Sequence, residues 1–256
     1  MAGKPVEYRE NPPDRITICC FTYMARTMEL RDFLRFFFGI VNCSDTLSRG
    51  LTEESKKEFE TEADKYRLGE RKFSPNRQFV NEILVSRAVE SFELYLLHML
   101  RLIFGEHPEI VLDDEKAGAK KADFANADDF FLYVAERKLQ QLSYKPLTAL
   151  REYIMQKTAI DLFDNNSTFE TALLAIQARN LIAHNDCRVN ELFLKRISVL
   201  SKPPAGELGN RYVFSEEWVK EVSYVFDHVV FQFDEFAAKK MLLPTMNRFT
   251  SFLFRG

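Results

Sequence analysis

The chain has 256 residues, 46% hydrophobic and 29% charged, with only nine Gly and nine Pro. That length supports a sizeable core, and that balance points to a helix-rich protein rather than a β-sandwich or a disordered chain. A formal charge of −3 excludes a global pull toward nucleic acid, so any phosphate contact has to come from a local patch. The 24 Phe can fill a helical core and still leave aromatic surface for a subunit interface.

Taken in order, residues 1 to 15 are polar, carry Pro12-Pro13 and read as an arm. Arg15 to Cys20 has short strand character from its β-branched residues. Leu30, Phe33, Leu34, Phe37 and Val41 give one apolar face to a helix expected from Tyr23 to Val41. Thr52 is a candidate N-cap for a charged helix running to about Leu68, with Glu53 and Glu54 suiting its first turn. Ser74-Pro75 reads as N-cap and first position of a long helix to about Phe104, in which Val80, Leu84, Ala88, Phe92, Tyr95, Met99 and Leu102 keep helical register. Gly105 to Pro108 stops it.

Residues 112 to 123 form a polar connection containing Lys116, Lys120 and Lys121. Helices follow at about 127 to 142 and 146 to 163. Asn165-Asn166-Ser167-Thr168 caps the next, where Ser167 and Glu170 have capping-box spacing. After a turn at Asn185-Asp186-Cys187, a short helix from Val189 to Ile197 is expected to turn Leu192, Phe193 and Ile197 inward. Residues 197 to 200 and 212 to 214 are candidates for a two-stranded ribbon. Ser215-Glu216-Glu217 opens a last long helix to about Leu242. The expected fold class is therefore all-α in a single domain, with at most one short ribbon.

The longest apolar runs, such as Phe36 to Val41, fall well short of the roughly 20 residues a membrane span needs. Cys19, Cys20, Cys43 and Cys187 have no C-x-x-C spacing, which makes buried reduced thiols the expectation and the cytoplasm the expected location. The four histidines, His98, His107, His184 and His228, are scattered, and there is no H-E-x-x-H, Gly-rich phosphate loop or G-x-S-x-G elbow. No metal and no cofactor are expected. Asp113-Asp114 and Asp128-Asp129 read as solvated turns or helix starts.

One stretch concentrates polarity where apolar residues surround it: Ala178-Arg179-Asn180-Leu181-Ile182-Ala183-His184-Asn185-Asp186, beside Leu173, Leu174 and Ile176. Buried polar groups must be satisfied locally or placed in a site or an interface. Asn180 and His184 are one helical turn apart, while Arg179 lies about 140° round from His184 at roughly 100° per residue. A guanidinium there can clamp a phosphate and hold transition-state charge. An imidazole can move the proton of a ribose 2′-hydroxyl or a leaving oxygen. Asn180 can orient that imidazole or donate to a phosphate oxygen. Asn185, Arg188 and Lys195, with Arg196, are candidate extensions of a phosphate path; a solvated helix face is their other reading.

Arg179-Asn180-x3-His184 resembles the Arg-x(4–6)-His motif of HEPN domains (higher eukaryotes and prokaryotes nucleotide-binding), including the Asn directly after the Arg. Leu142 to Phe163 looks like the helix before the motif helix in larger stand-alone prokaryotic members, and Arg188 to Leu194 like the turn and helix after it. Arg101 and His107 have compatible spacing, but Gly105 and Pro108 bracket the pair, His107-Pro108 forces an extended backbone, and no Asn follows Arg101.

The resemblance implies a HEPN-like helical core at about 78 to 242, with an N-terminal helical extension at about 21 to 70. It further implies a metal-independent endoribonuclease of a toxin, defence or RNA-processing system. Two motif helices from two protomers would pair around one composite cleft, with single-stranded RNA as substrate and an antitoxin or defence-system partner. Arg179 would bind the scissile phosphate, His184 act as acid or base, and Asn180 hold the geometry. A non-catalytic HEPN module binding a nucleotide, RNA or a protein partner is the alternative.

Overall fold

The computed structural model describes residues 8–9, 11–33, 52–55, 57, 61, 70–112, 124–204 and 206–248, with only the backbone of 70–77. The expected helix segment at 34–41, the connection at 113–123 with its lysines and Asp113-Asp114, most of the expected 52–68 helix, and Cys43 lie outside these residues. Thr52 does behave as a cap: its Oγ1 accepts the Ser55 N–H at 3.4 Å.

Among the described residues the chain is all-α apart from one short two-stranded antiparallel ribbon. In order come β1 (Arg15–Ile16), α1 (18–33), α2 (Glu70–Glu106), α3 (Glu109–Leu112), α4 (Ala127–Ser143), α5 (Leu147–Thr158), α6 (Asn166–Asn185), α7 (Glu191–Ile197), α8 (Glu216–Lys240) and β2 (Met246–Asn247). The ribbon pairs Arg15 with Asn247 and Ile16 with Met246, not 197–200 with 212–214 as the sequence suggested. Cys19 and Cys20 fall in α1 rather than in a strand.

Side-chain capping sets most of the helix starts. Asn126 Oδ1 accepts the Asp129 N–H at 2.8 Å, so Asp128-Asp129 is a helix start. Asn165, not Ser167, caps α6, accepting the Thr168 N–H at 2.9 Å, while Glu170 bonds Asn166 instead. Asn190 caps α7 through the Phe193 N–H at 2.8 Å. Ser215 Oγ accepts the Trp218 N–H at 3.1 Å, and Glu216-Glu217 against Lys239-Lys240 complement the dipole of α8. Helix α5 stops at Thr158, earlier than its sequence pattern suggests, because Ala159 turns left-handed at φ 53°. Helix α2 begins at Glu70, four residues before the Ser74-Pro75 signal.

The chain divides into two compact units. The first, 1–24, 89–176 and 222–256, has a core in which Phe92 stacks on Phe226 at 4.4 Å between ring centroids, with Tyr95, Phe104, Ile154 and Phe163 fully buried. Burying one such side chain contributes about 1.5–3 kcal/mol. The second, 25–88 and 177–221, contains the motif. Its core includes Val85, Leu181, Val189, Phe193, Ile197 and Phe214, and rings at Phe193, Tyr212, Phe214 and Trp218 touch in sequence at 5.4, 5.1 and 5.4 Å. Leu192, expected inward, is 53% exposed.

Candidate functional site

Helix α6 has no single apolar stripe. Ala172, Leu173, Ala175, Ile176, Ala178 and Leu181 are all buried, and at about 100° per residue these positions encircle the axis. Burial relaxes in the first turn, where Asn166 and Ser167 are exposed, and again over the last turn and a half. There Arg179 and Asn180 are half-buried and Ala183 and His184 exposed. Arg179 and Ala183 are one turn apart, as are Asn180 and His184, and the four positions span an arc of about 140°. Arg179 and His184 are separated by about 7.5 Å of rise.

All four histidines are described, and His184 alone is exposed. His228 is buried: its Nδ1 accepts the Arg9 N–H at 2.8 Å and its Nε2 faces Asp164 at 3.0 Å. The second Arg/His spacing is engaged elsewhere. Arg101 makes a two-pronged pair with Glu136 at 2.7 and 2.9 Å. His107 is bonded to the Met241 carbonyl at 2.7 Å and to Glu109 at 3.2 Å, and the Met241 carbonyl chiefly holds its pKa above the ordinary range.

Beyond His184 the chain reverses through two consecutive left-handed residues, Asp186 (φ 47°) and Cys187 (φ 60°). Neither is Gly, so each costs about 1 kcal/mol or more and persists only where neighbouring bonds enforce it. The Cys187 N–H closes back onto the Leu181 carbonyl at 3.2 Å. Asn185 braces the same turn: its Nδ2 donates to the Arg188 carbonyl, and the Arg188 N–H donates back to the Asn185 carbonyl at 2.8 Å. Residues 187–189 then pair with 209–212 through Tyr212 N–H to Cys187 O (2.8 Å), Val189 N–H to Asn210 O (2.9 Å) and Gly209 N–H to Val189 O (2.8 Å).

Arg188 is exposed and donates to the Gly209 carbonyl at 3.3 Å; Lys195 is exposed near the end of α7, and Arg196 bonds Gln177 Oε1 at 3.2 Å. Between residues 177 and 213 six Lys or Arg stand against three Asp or Glu, a local positive excess in a chain of net charge −3. Among the described residues no group of His, Cys, Asp and Glu is gathered as a metal site requires, and no helix is long and apolar enough to cross a membrane. Cavities of about 760 and 710 Å³ flank the end of α8, both bordered by Lys239, and neither includes a motif residue.

Residues that the motif did not reveal support the turn. Glu82 in α2 is buried; its Oε1 accepts Arg211 Nη2 at 2.8 Å and Gln78 Nε2 at 3.0 Å. Gln78 Nε2 also donates to the Tyr212 carbonyl at 3.0 Å, and Asn81 Nδ2 to the Phe214 carbonyl at 2.9 Å. Burial, followed by the charge and hydrogen bond of Glu82, pushes the Cys187 thiol up to about 12. The available signal was polar residues interrupting the apolar register of α2. Comparison of the chain with protein-family models, curated proteins and solved structures finds no match.

Proposed function

We propose that the chain is a HEPN-type, metal-independent endoribonuclease that cleaves single-stranded RNA and acts as a cytoplasmic dimer in a toxin or phage-defence system. The observation that carries this reading is the exposure of His184, alone among the histidines, one helical turn after Asn180 and at the same end of α6 as Arg179. The imidazole takes the proton of a ribose 2′-hydroxyl. The 2′-oxygen attacks the adjacent phosphorus, the bond to the 5′-oxygen breaks, and that oxygen leaves with the proton returned by the imidazolium. The products are a 2′,3′-cyclic phosphate and a 5′-hydroxyl. Arg179 holds the phosphate and the charge that develops on it, because a guanidinium stays protonated and matches phosphate geometry. Asn180, one turn before His184, orients the ring. Single-stranded RNA suits this chemistry, since its splayed nucleotides align most easily for in-line attack.

The test is incubation of total RNA with wild type, His184→Ala and Arg179→Ala in EDTA, followed by end-group analysis. Wild type is expected to leave cyclic-phosphate ends, and each variant to lose at least about 100-fold in rate, the scale of one acid–base group, with an unchanged oligomeric state. Diverse RNAs left intact by wild type at high enzyme concentration refute the reading. Nucleotide or protein binding that shifts in the same variants without turnover replaces it with the binding-module alternative.

A further inference from the structure

The left-handed turn after α6 is held from outside the helix. Tyr212 and Phe214, on the segment that pairs with the turn, are fixed by α2. Gln78 takes the Tyr212 carbonyl and the Phe214 N–H, each at 3.0 Å, and Asn81 takes the Phe214 carbonyl at 2.9 Å. Glu82 ties these contacts together. It accepts Gln78 and Arg211 on one oxygen, while from the turn itself the Cys187 thiol donates to the Tyr212 carbonyl at 3.6 Å. A buried carboxylate is poor value as a stabiliser, since an apolar side chain of similar volume often serves stability as well. Where its hydrogen bonds are satisfied, such a network instead selects one arrangement of the parts it joins. Here those parts are α2, the 211–214 segment and the turn three residues after His184.

We propose that Glu82 is a positioning residue that fixes the last turn of α6, and with it the orientation of His184 relative to Arg179. Its structural half stands on the bonds above; its consequence for catalysis rests on the endoribonuclease reading. Glu82 acts through Gln78 and Arg211, which hold the segment whose Tyr212 N–H donates to the Cys187 carbonyl at 2.8 Å.

The experiment compares wild type, Glu82→Met, Glu82→Gln and Arg211→Met. Hydrogen exchange is read residue by residue, the His184 ring by 1H–15N NMR, and RNA cleavage as kcat and KM. In Glu82→Met the amides of 183–188 should lose at least about tenfold in protection while those of α8 keep theirs, the His184 ring signals should broaden or split, and kcat should fall about tenfold or more with KM little changed. Glu82→Gln keeps the shape and an acceptor oxygen, and should restore protection and kcat to within about threefold of wild type. If Glu82→Met fails to fold, Arg211→Met, altered at a largely exposed side chain, should give the same localised loss to a smaller degree.

Unchanged protection at 183–188 and an unchanged His184 signal in Glu82→Met, or in Arg211→Met where that variant has to stand in, overturn the proposal whatever the activity. A localised loss with kcat unchanged overturns its catalytic half. Wild type that cleaves no RNA sinks the endoribonuclease reading instead, and the exchange and NMR measurements still decide whether Glu82 orders the turn.

Discussion

Asp234 makes stability depend on pH in a direction opposite to most carboxylates. It is fully buried on α8, where Oδ2 accepts the Thr17 N–H at 3.0 Å and Oδ1 the Thr17 hydroxyl at 2.5 Å, while Thr17 Oγ1 accepts the Cys20 N–H at 3.2 Å and so caps α1. Burial pushes its carboxyl from 3.8 up to about 6, against the hydrogen bonds from Thr17 and Tyr95, which pull it down. Between those two values the folded protein holds a proton that the unfolded chain has released. The contribution of Asp234 to stability is therefore greatest below about pH 4 and is lost as pH rises through about 6, and the interval corresponds to about 3 kcal/mol.

The perturbation is Asp234→Asn, whose amide oxygen can accept the Thr17 N–H while its nitrogen donates to Thr17 Oγ1. Urea unfolding of both proteins between about pH 4 and pH 8 gives the free-energy difference, wild type minus variant. That difference should fall by about 2.4 kcal/mol over this range, mostly between pH 4 and 6. Glu136 and Asp161, held below the usual carboxylate range by Arg101 and Arg151, tilt the curves the other way, but equally in both proteins. A difference constant to within about 0.5 kcal/mol over the whole range would refute the argument.

Ala159→Gly should stabilise the chain by about 1 kcal/mol, because Ala159 is exposed and left-handed at the end of α5, where Gly meets no steric penalty; a lower thermal midpoint would count against it. Arg101→Ala removes an exposed pair with Glu136 and should change stability by less than about 1 kcal/mol. The same variant should cleave RNA at the wild-type rate, and a loss matching that of Arg179→Ala would mean that the wrong Arg/His pair has been assigned.

The long helices were legible because their apolar residues recur at the helical period, as Ala88, Phe92, Tyr95 and Met99, all buried, do in α2. What failed was local detail decided by distant contacts. In the run Asn165 to Thr168 every residue can cap, and the path of the preceding loop selects Asn165. Residues 212–214, expected as a strand, form none: they lie against 187–189 and α2, and the ribbon joins 15–16 to 246–247. Pairings across such separations leave no local trace. The start of α2 at Glu70 shows the converse, since a good cap signal at Ser74 does not end the helix that passes through it.

The candidate site could be put forward from sequence for a different reason: Arg179, Asn180 and His184 fall within six consecutive residues. Its supports do not, since Asn81 reaches Phe214 across 133 positions. Nor does the sequence show that α6 is encircled by core, which alters the reading of its apolar residues. Leu173, Ile176 and Leu181, which could have formed a seam between protomers, are buried within the chain itself. What α6 offers a second copy is therefore the Arg179, Asn180, Ala183 and His184 side. A dimer formed through that side would oppose two motifs directly, and small Ala183 would allow the helices to approach. Ala183→Arg would then abolish both dimer and cleavage, with the fold intact because position 183 is exposed. A dimer that survived this substitution in analytical ultracentrifugation would place the interface on another surface.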